Sequence, residues 1–140
     1  MALVLPVDLR DELARRATAH RPEECCGMLL GPTPDRVDQV IEAPNVAQDR
    51  RRRFAIDPRV LLRVHRQARV EHRVVVGYYH SHPASPPQPS QTDLDDAWPG
   101  ELHVIIGVEG DGAAAGRTSI AAWRRTDDAF ESVPIRDRIK

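Results

Sequence analysis

The chain of 140 residues is 41% hydrophobic and 29% charged, which suits one globular domain spanning 1–140 around one core. A formal net charge of −1 removes any global pull toward nucleic acid or an anionic membrane, and no apolar run approaches the ~20 residues that cross a bilayer. The opening Met1-Ala2-Leu3-Val4-Leu5-Pro6 lacks a basic segment ahead of its short apolar stretch, so it does not read as a signal peptide, and a cytoplasmic location is expected.

Val7 to His20 reads as a helix. Leu9, Leu13, Ala14 and Ala17 recur at helical spacing, and Asp8, Asp11 and Glu12 lie near its positive end. Arg21-Pro22 stops it. Cys25 to Gly31 is a short apolar run and reads as a buried strand; its adjacent cysteines, Cys25 and Cys26, are poor partners for each other, which excludes a disulfide scaffold and fits a reducing compartment. Pro32 to Asp35 has turn chemistry, and Arg36 to Ala43 reads as a second strand. A polar loop from Pro44 leads to a short strand, Arg53-Phe54-Ala55-Ile56. Asp57 then caps a helix with Pro58 in its first turn, running to Glu71 with Leu61, Val64, His65 and Ala68 on one face. Val74 to His80 reads as the central strand, and Pro83 to Pro89 as irregular. A short helix follows over Gln91 to Ala97, then a buried strand over Leu102 to Val108. Glu109 to Gly112 is a turn, with Ala113 to Gly116 in the same loop. Thr118 to Arg124, packing Ile120 and Ala122, and Phe130 to Ile135 complete the strands. Strands outnumber helices, so the sum is an α/β domain with mixed strands rather than a strictly wound parallel sheet.

The chemistry concentrates where the central strand ends, in Gly77-Tyr78-Tyr79-His80-Ser81-His82-Pro83. Side chains two apart on a strand leave the same face, so His80 and His82 can converge on one ion. Neutral imidazole is a common zinc ligand, and an oxygen from Asp93 would make a third, leaving one position open as a catalytic zinc site requires. Ser90-x-x-Asp93 is equally a helix-start pattern, Ser as N-cap with an acid at N3, and the two readings of Asp93 are compatible. Hydrolysis also needs a general base, and Glu23 and Glu24 both precede a buried strand whose edge can face a cleft.

Taken together, Glu24, then His80-x-His82, seven residues, Ser90, two residues and Asp93 resemble the motif of the JAMM/MPN-plus zinc metalloproteases, small prokaryotic type. Pro22-Glu23-Glu24-Cys25-Cys26-Gly27 is similar to that family's Pro-x-Glu-x-Cys-Gly segment, which selects Glu24 over Glu23. The resemblance implies a mixed sheet flanked by helices, an MPN architecture like that of cytidine deaminases. It implies one zinc per chain on His80, His82 and Asp93, with Glu24 as general acid/base and Ser90 as donor to the developing oxyanion. Ser81 points the other way and reads as structural. The implied substrate is an isopeptide or peptide bond after the tail of a ubiquitin-like or sulfur-carrier protein, docked by strand addition at a sheet edge beside the zinc. Edge strands would also allow a homodimer.

Other features carry less. Arg50-Arg51-Arg52-Arg53 has no interleaved aromatics, so a solvated loop or an acidic protein contact is favoured over nucleic acid. Cys25 and Cys26 read as packed rather than ligating, His20, His65 and His72 as surface or boundary residues, His103 as a strand residue without an evident partner, and Trp98 as packing, favoured over a wall of the cleft. A non-catalytic MPN-type interaction module is the alternative, although such modules typically lose ligands. A nucleobase deaminase would need His-x-Glu and Pro-Cys-x-x-Cys, and neither occurs. The prolines between His82 and Ser90 read as a stiff spacer that holds Asp93 and Ser90 across the metal from the histidines.

Overall fold

A computed structural model describes residues 1–110 and 117–138; the expected loop over 111–116 lies outside the described residues. In chain order the elements are β1 (Leu3–Val4), α1 (Val7–His20), β2 (Cys26–Gly31), β3 (Gln39–Ala43), α2 (Pro58–Val70), β4 (Val74–His82), α3 (Gln91–Asp96), β5 (Leu102–Glu109), β6 (Arg117–Arg125), β7 (Phe130–Val133) and β8 (Ile135–Arg136). Six strands form one sheet in the order β3-β2-β4-β5-β6-β7, and β1 pairs with β8 apart from it. Only β4 and β5 run parallel in the main sheet; its other pairs are antiparallel.

The expected mixed sheet therefore holds, and the helices cover both faces. On one side α1 buries Leu13 and Ala17 against Leu29, Tyr79, Val104 and Ile106. On the other α2 buries Val60, Val64 and Ala68 against Met28 and Leu30. The buried stripe of α2 thus runs through Val60 rather than His65, which is exposed: the i, i+4, i+8 positions face the sheet. Asp57 caps α2 as expected, accepting the Arg59 N–H at 2.9 Å, and His72 closes the segment with a φ of 56°.

Several boundaries move for physical reasons. The strand expected from Arg36 begins at Gln39, because Arg36 and Val37 turn toward the N-terminal strand, where the Val37 N–H donates to Val4 O at 2.9 Å. The expected 53–56 strand reduces to one bridge between Asn45 and Ile56. Pro134 offers no N–H, so the last strand splits into β7, which pairs with β6, and β8, which pairs with β1. The central strand, by contrast, runs on to His82, so both histidines lie within it.

A bulge sets their facing. Against β2, Leu29 sits opposite Gly77 and Leu30 opposite Val75, so Val76 is left without a partner there. Val76 and Tyr79 consequently face the α1 core, whereas Val75 and Tyr78 face the α2 core. A bulge re-aims side chains beyond it, and here it fixes the face taken by His80 and His82. Gly27 lies just before this region, and a Cβ there would collide with Ile41 O and the Tyr79 ring. Gly27→Ala is expected to destabilise the fold by about 1–3 kcal/mol through overpacking; a urea midpoint equal to wild type would show that the Tyr79 ring yields instead.

Candidate metal centre

Strand β4 delivers His80 and His82 to one point, and the first turn of α3 delivers Asp93. All three are buried. His80 Nε2 lies 3.3 Å from His82 Nε2 and 3.2 Å from Asp93 Oδ1, and His82 Nε2 lies 3.0 Å from Asp93 Oδ2. Tetrahedral zinc with bonds of about 2.0–2.1 Å places its ligand atoms about 3.3 Å apart. Each Nε2 carries one proton or one lone pair, yet each faces both a second Nε2 and a carboxylate oxygen. A shared cation satisfies all three contacts at once, so these residues fit zinc.

The supports around them are local. His82 Nδ1 lies 2.9 Å from Pro86 O, which orients the imidazole with Nε2 toward the centre. His80 lacks such a partner at Nδ1 and is held instead by the Phe54 ring, stacked at 4.3 Å between centroids. Ser90 and Asp93 form a capping box: Ser90 Oγ accepts the Asp93 N–H at 3.0 Å, and Asp93 Oδ2 accepts the Ser90 N–H at 2.9 Å. The capping reading of Asp93 holds, and the same carboxylate stands in the group that could hold a metal. Ser90 Oγ accepts the cap bond, which leaves its O–H free to donate.

Glu24 is only 4% exposed, and its Oε1 has no hydrogen-bond partner. Its backbone is pinned on both sides, the N–H donating to Arg50 O at 2.7 Å and the carbonyl accepting from Asn45 Nδ2 at 3.0 Å. With His82 and Ser90 it lines a cavity of ≈ 460 Å³, also bordered by Pro22, Pro83 and Ser85. Glu23 instead turns out to an ion pair with Arg50 at 3.4 Å. Ser81 does face away from the metal: its Oγ accepts the Cys25 N–H at 2.8 Å, and its own N–H donates to Cys25 O at 3.0 Å. This latch ties the backbone beside Glu24 to the ligand strand.

Electrostatics follow burial. Burial, then the Asp93 charge, pushes the Glu24 carboxyl up to about 8. Burial alone would raise Asp93, but its hydrogen bonds from His80 and His82 win and hold it well below the usual carboxylate range. Burial lowers His80 and favours the neutral imidazole that metals bind. For His82 burial is outweighed by the Asp93 and Pro86 contacts, and its pKa rises.

The remaining expectations divide. Cys25 and Cys26 are free and buried; Cys26 pairs with His80 across the strands, but neither joins the cluster of His80, His82 and Asp93. His103 does have a partner, Glu101 Oε1 at 3.0 Å. Trp98 is not packed: it is 74% exposed and, with Phe54, Tyr78 and His103, borders a second cavity of ≈ 390 Å³. Sequence reasoning missed Phe54 and Trp123. Trp123 Nε1 donates to Pro87 O at 2.9 Å, and the proline loop rests on Gly107, where a Cβ would come within 2.7 Å of Pro87 N. A Trp or Gly on a strand gives no sign of a partner loop so distant in the chain.

A mixed sheet that carries two strand histidines, a helix-capping aspartate and a buried, unpartnered glutamate beside one cleft defines a metal-dependent hydrolase. Residues 6–126 match the family described as prokaryotic homologs of the JAB domain, and the chain belongs to that family. The desampylase of Haloferax volcanii is 36% identical to it over 139 residues, covering 95% of this chain and 94% of that protein. The CysO-cysteine peptidase of Mycobacterium tuberculosis is 30% identical over 134 residues, covering 95% and 89%. A solved structure of a Desulfitobacterium hafniense protein matches with a TM-score of 0.79 at 26% identity, over 95% of this chain and 90% of that one. The small prokaryotic JAMM/MPN-plus assignment thus stands, and with it the hydrolase class and zinc as the metal.

Two outcomes test this geometry. In metal-free protein the raised Glu24 carboxyl contributes stability that is full below about 4.5, its unfolded value, and is lost as pH rises through about 8. Relative to Glu24→Gln, wild-type unfolding free energy is expected to fall by on the order of a few kcal/mol across that window, read by denaturant titration. Gly107→Ala displaces the proline loop and with it the Pro86 carbonyl behind His82. Zinc affinity is expected to drop about 10-fold or more, in the range of lost outer-sphere partners, as measured by chelator competition; an unaltered affinity would separate the loop from the metal.

Proposed function

We propose that residues 1–140 act as one JAMM domain that binds one zinc and hydrolyses the isopeptide or peptide bond after the C-terminal tail of a ubiquitin-like or sulfur-carrier protein. The observation that carries this is Glu24, a buried carboxylate with an unpartnered oxygen, opening on the same cleft as His82 and Ser90. An interaction module has no use for such a group, which costs stability unless it works on something that enters the cleft. The names of the two curated relatives, a desampylase and a CysO-cysteine peptidase, support this substrate class.

His80, His82 and Asp93 hold the zinc, which supplies, when bound, a Lewis acid that acidifies water and polarises the scissile carbonyl. Glu24 takes a proton from the attacking water and returns it to the departing amine; a carboxyl raised by burial suits both steps. Ser90 donates its O–H to the carbonyl oxygen as negative charge grows there. Strand addition does not use β4, which is paired on both sides; the tail adds at β3, an outer strand of the sheet, on the side from which Glu24 enters. The other outer strand, β7, supplies the edge for a homodimer.

The same reading includes no nucleic-acid or membrane partner, in keeping with a net charge of −1. Among the described residues no helix is long and apolar enough to cross a membrane. Two buried free thiols support a cytoplasmic setting.

The test is incubation of zinc-loaded protein with carriers that end in Gly-Gly plus an extension, read by mass spectrometry. Cleavage after Gly-Gly is expected. Glu24→Gln should keep its zinc and lose most hydrolysis, Ser90→Ala should lose about 10²–10³ in rate as for a lost oxyanion donor, and His82→Ala should lose zinc. Full activity in Glu24→Gln would remove the general-base role.

A further inference from the structure

The cleft beside Glu24 is far more basic than amide hydrolysis requires. Arg21, Arg51 and Arg52 line it, and Glu24 is the one acid among its lining residues. In the four-arginine run the outer pair is engaged: Arg50 meets Glu23 at 3.4 Å and Arg53 meets Asp96 on α3 at 3.4 Å. The inner pair, Arg51 and Arg52, has no carboxylate within ion-pair reach among the described residues, and both side chains border the cavity. The loop is shaped to present them. Asp49 O accepts the N–H groups of Arg52 and Arg53 at 3.2 and 3.0 Å, and the Asn45 side chain ties the loop to Glu24 O and to the N–H of Ala55. Arg21 lines the same cavity from the end of α1. Its guanidinium donates to Gly110 O at 2.6 Å, which fixes the group and leaves further N–H donors free.

We propose that this cleft is the leaving-group subsite, in which Arg51 and Arg52, with Arg21, bind the free carboxylate of a single amino acid joined to the carrier tail. The inference rests on the tail-cleaving reading above and names its leaving group. An α-amino acid carries its carboxylate one carbon from the scissile nitrogen, so the charge falls within the cleft that holds Glu24. A lysine in isopeptide linkage brings only methylenes to that place and leaves Arg51 and Arg52 without an anion to meet. Arginine also matches a carboxylate with paired N–H donors. Hydrolysis is balanced in the ordinary way: the tail carbonyl gains the water oxygen, the C–N bond breaks, Glu24 passes the proton to the nitrogen, and the amino acid leaves with its carboxylate intact. The cavity of ≈ 460 Å³ accepts a residue of this size together with water.

The experiment compares three forms of one Gly-Gly carrier: extended by cysteine with a free carboxylate, extended by cysteinamide, and linked through its tail to the side chain of N-acetyl-lysinamide. Zinc-loaded wild type is expected to favour the free carboxylate over cysteinamide by about tenfold in kcat/KM, the scale of one charge-assisted contact. The isopeptide should behave like the cysteinamide. In the Arg51→Gln/Arg52→Gln double variant the ratio should fall toward one. General damage to the fold would slow all three forms together and leave the ratio standing. Equal rates in wild type, or a ratio that survives the double substitution, would overturn the subsite. Failure of wild type to cleave any form would overturn the tail-cleaving reading, and this inference with it.

Discussion

The structure depends on one crowded point, where two imidazoles and a carboxylate approach within about 3 Å of one another out of water. Such a group of donors is unfavourable to bury without a cation. What makes it possible is that each ligand is set by an interaction unrelated to the metal. The period of β4 puts His80 and His82 on one face, the Val76 bulge chooses which face, and the capping box of α3 fixes Asp93 before any ion arrives. The site is in that sense prepared by the secondary structure, and the metal offsets the electrostatic cost of the preparation.

Glu24, the proposed general base, is positioned differently. Glu24 lies outside β2, so neither strand period nor helix turn aims it. It is held through backbone contacts at Arg50 and Asn45 on one side and through the Ser81–Cys25 latch on the other. Ser81, between His80 and His82, thereby couples β4 to the segment that carries Glu24. The alternation of β4 sends His80 and His82 to one face and Ser81 to the other, so a single strand serves metal and base together.

Much of this was legible before any coordinates. The His-x-His pair, the Ser-x-x-Asp cap, the Asp-Pro start of α2 and the apolar runs of β2, β4 and β5 are local patterns, and local patterns survive into the fold. What escaped were features decided by distant partners. Leu3–Val4 and Ile135–Arg136 are too short to register as strands and exist because each supplies the other's hydrogen bonds across nearly the whole chain. The Val76 bulge appears only when β2 is laid against β4. Phe54 reads as part of a strand and serves as the face on which His80 stacks. Trp98 reads as a packing residue, yet it lies in the connection between α3 and β5 and is exposed. Glu24 was separable from Glu23 only by family resemblance, because both precede the same strand; burial distinguishes them physically, one turned into the cleft and one out to Arg50.

The stretch between the histidines and Ser90 shows how composition becomes geometry. Prolines restrict their own φ and offer no N–H, so the segment from Pro83 to Pro89 has few donors for its own carbonyls, and Gln88 N–H to Pro86 O at 2.9 Å is an internal bond it does make. Two of those carbonyls also reach beyond the segment: Pro86 O meets His82 Nδ1, and Pro87 O accepts from Trp123 on β6. The loop lies directly on Gly107, the β5 residue paired with His82, where a side chain would displace it. The spacer is therefore stiff by composition and also anchored at both the ligand and the sheet. Because one end of the anchor is the imidazole of His82, a candidate metal ligand, the position of the loop bears on the candidate metal centre. A substrate that presses on Pro83 to Ser85 from within the cleft acts on the same segment that orients His82. On the proposed function, leaving-group binding and the arrangement of the candidate ligands share one short piece of chain, which lets contacts made by a substrate's far side bear on the geometry at the scissile bond.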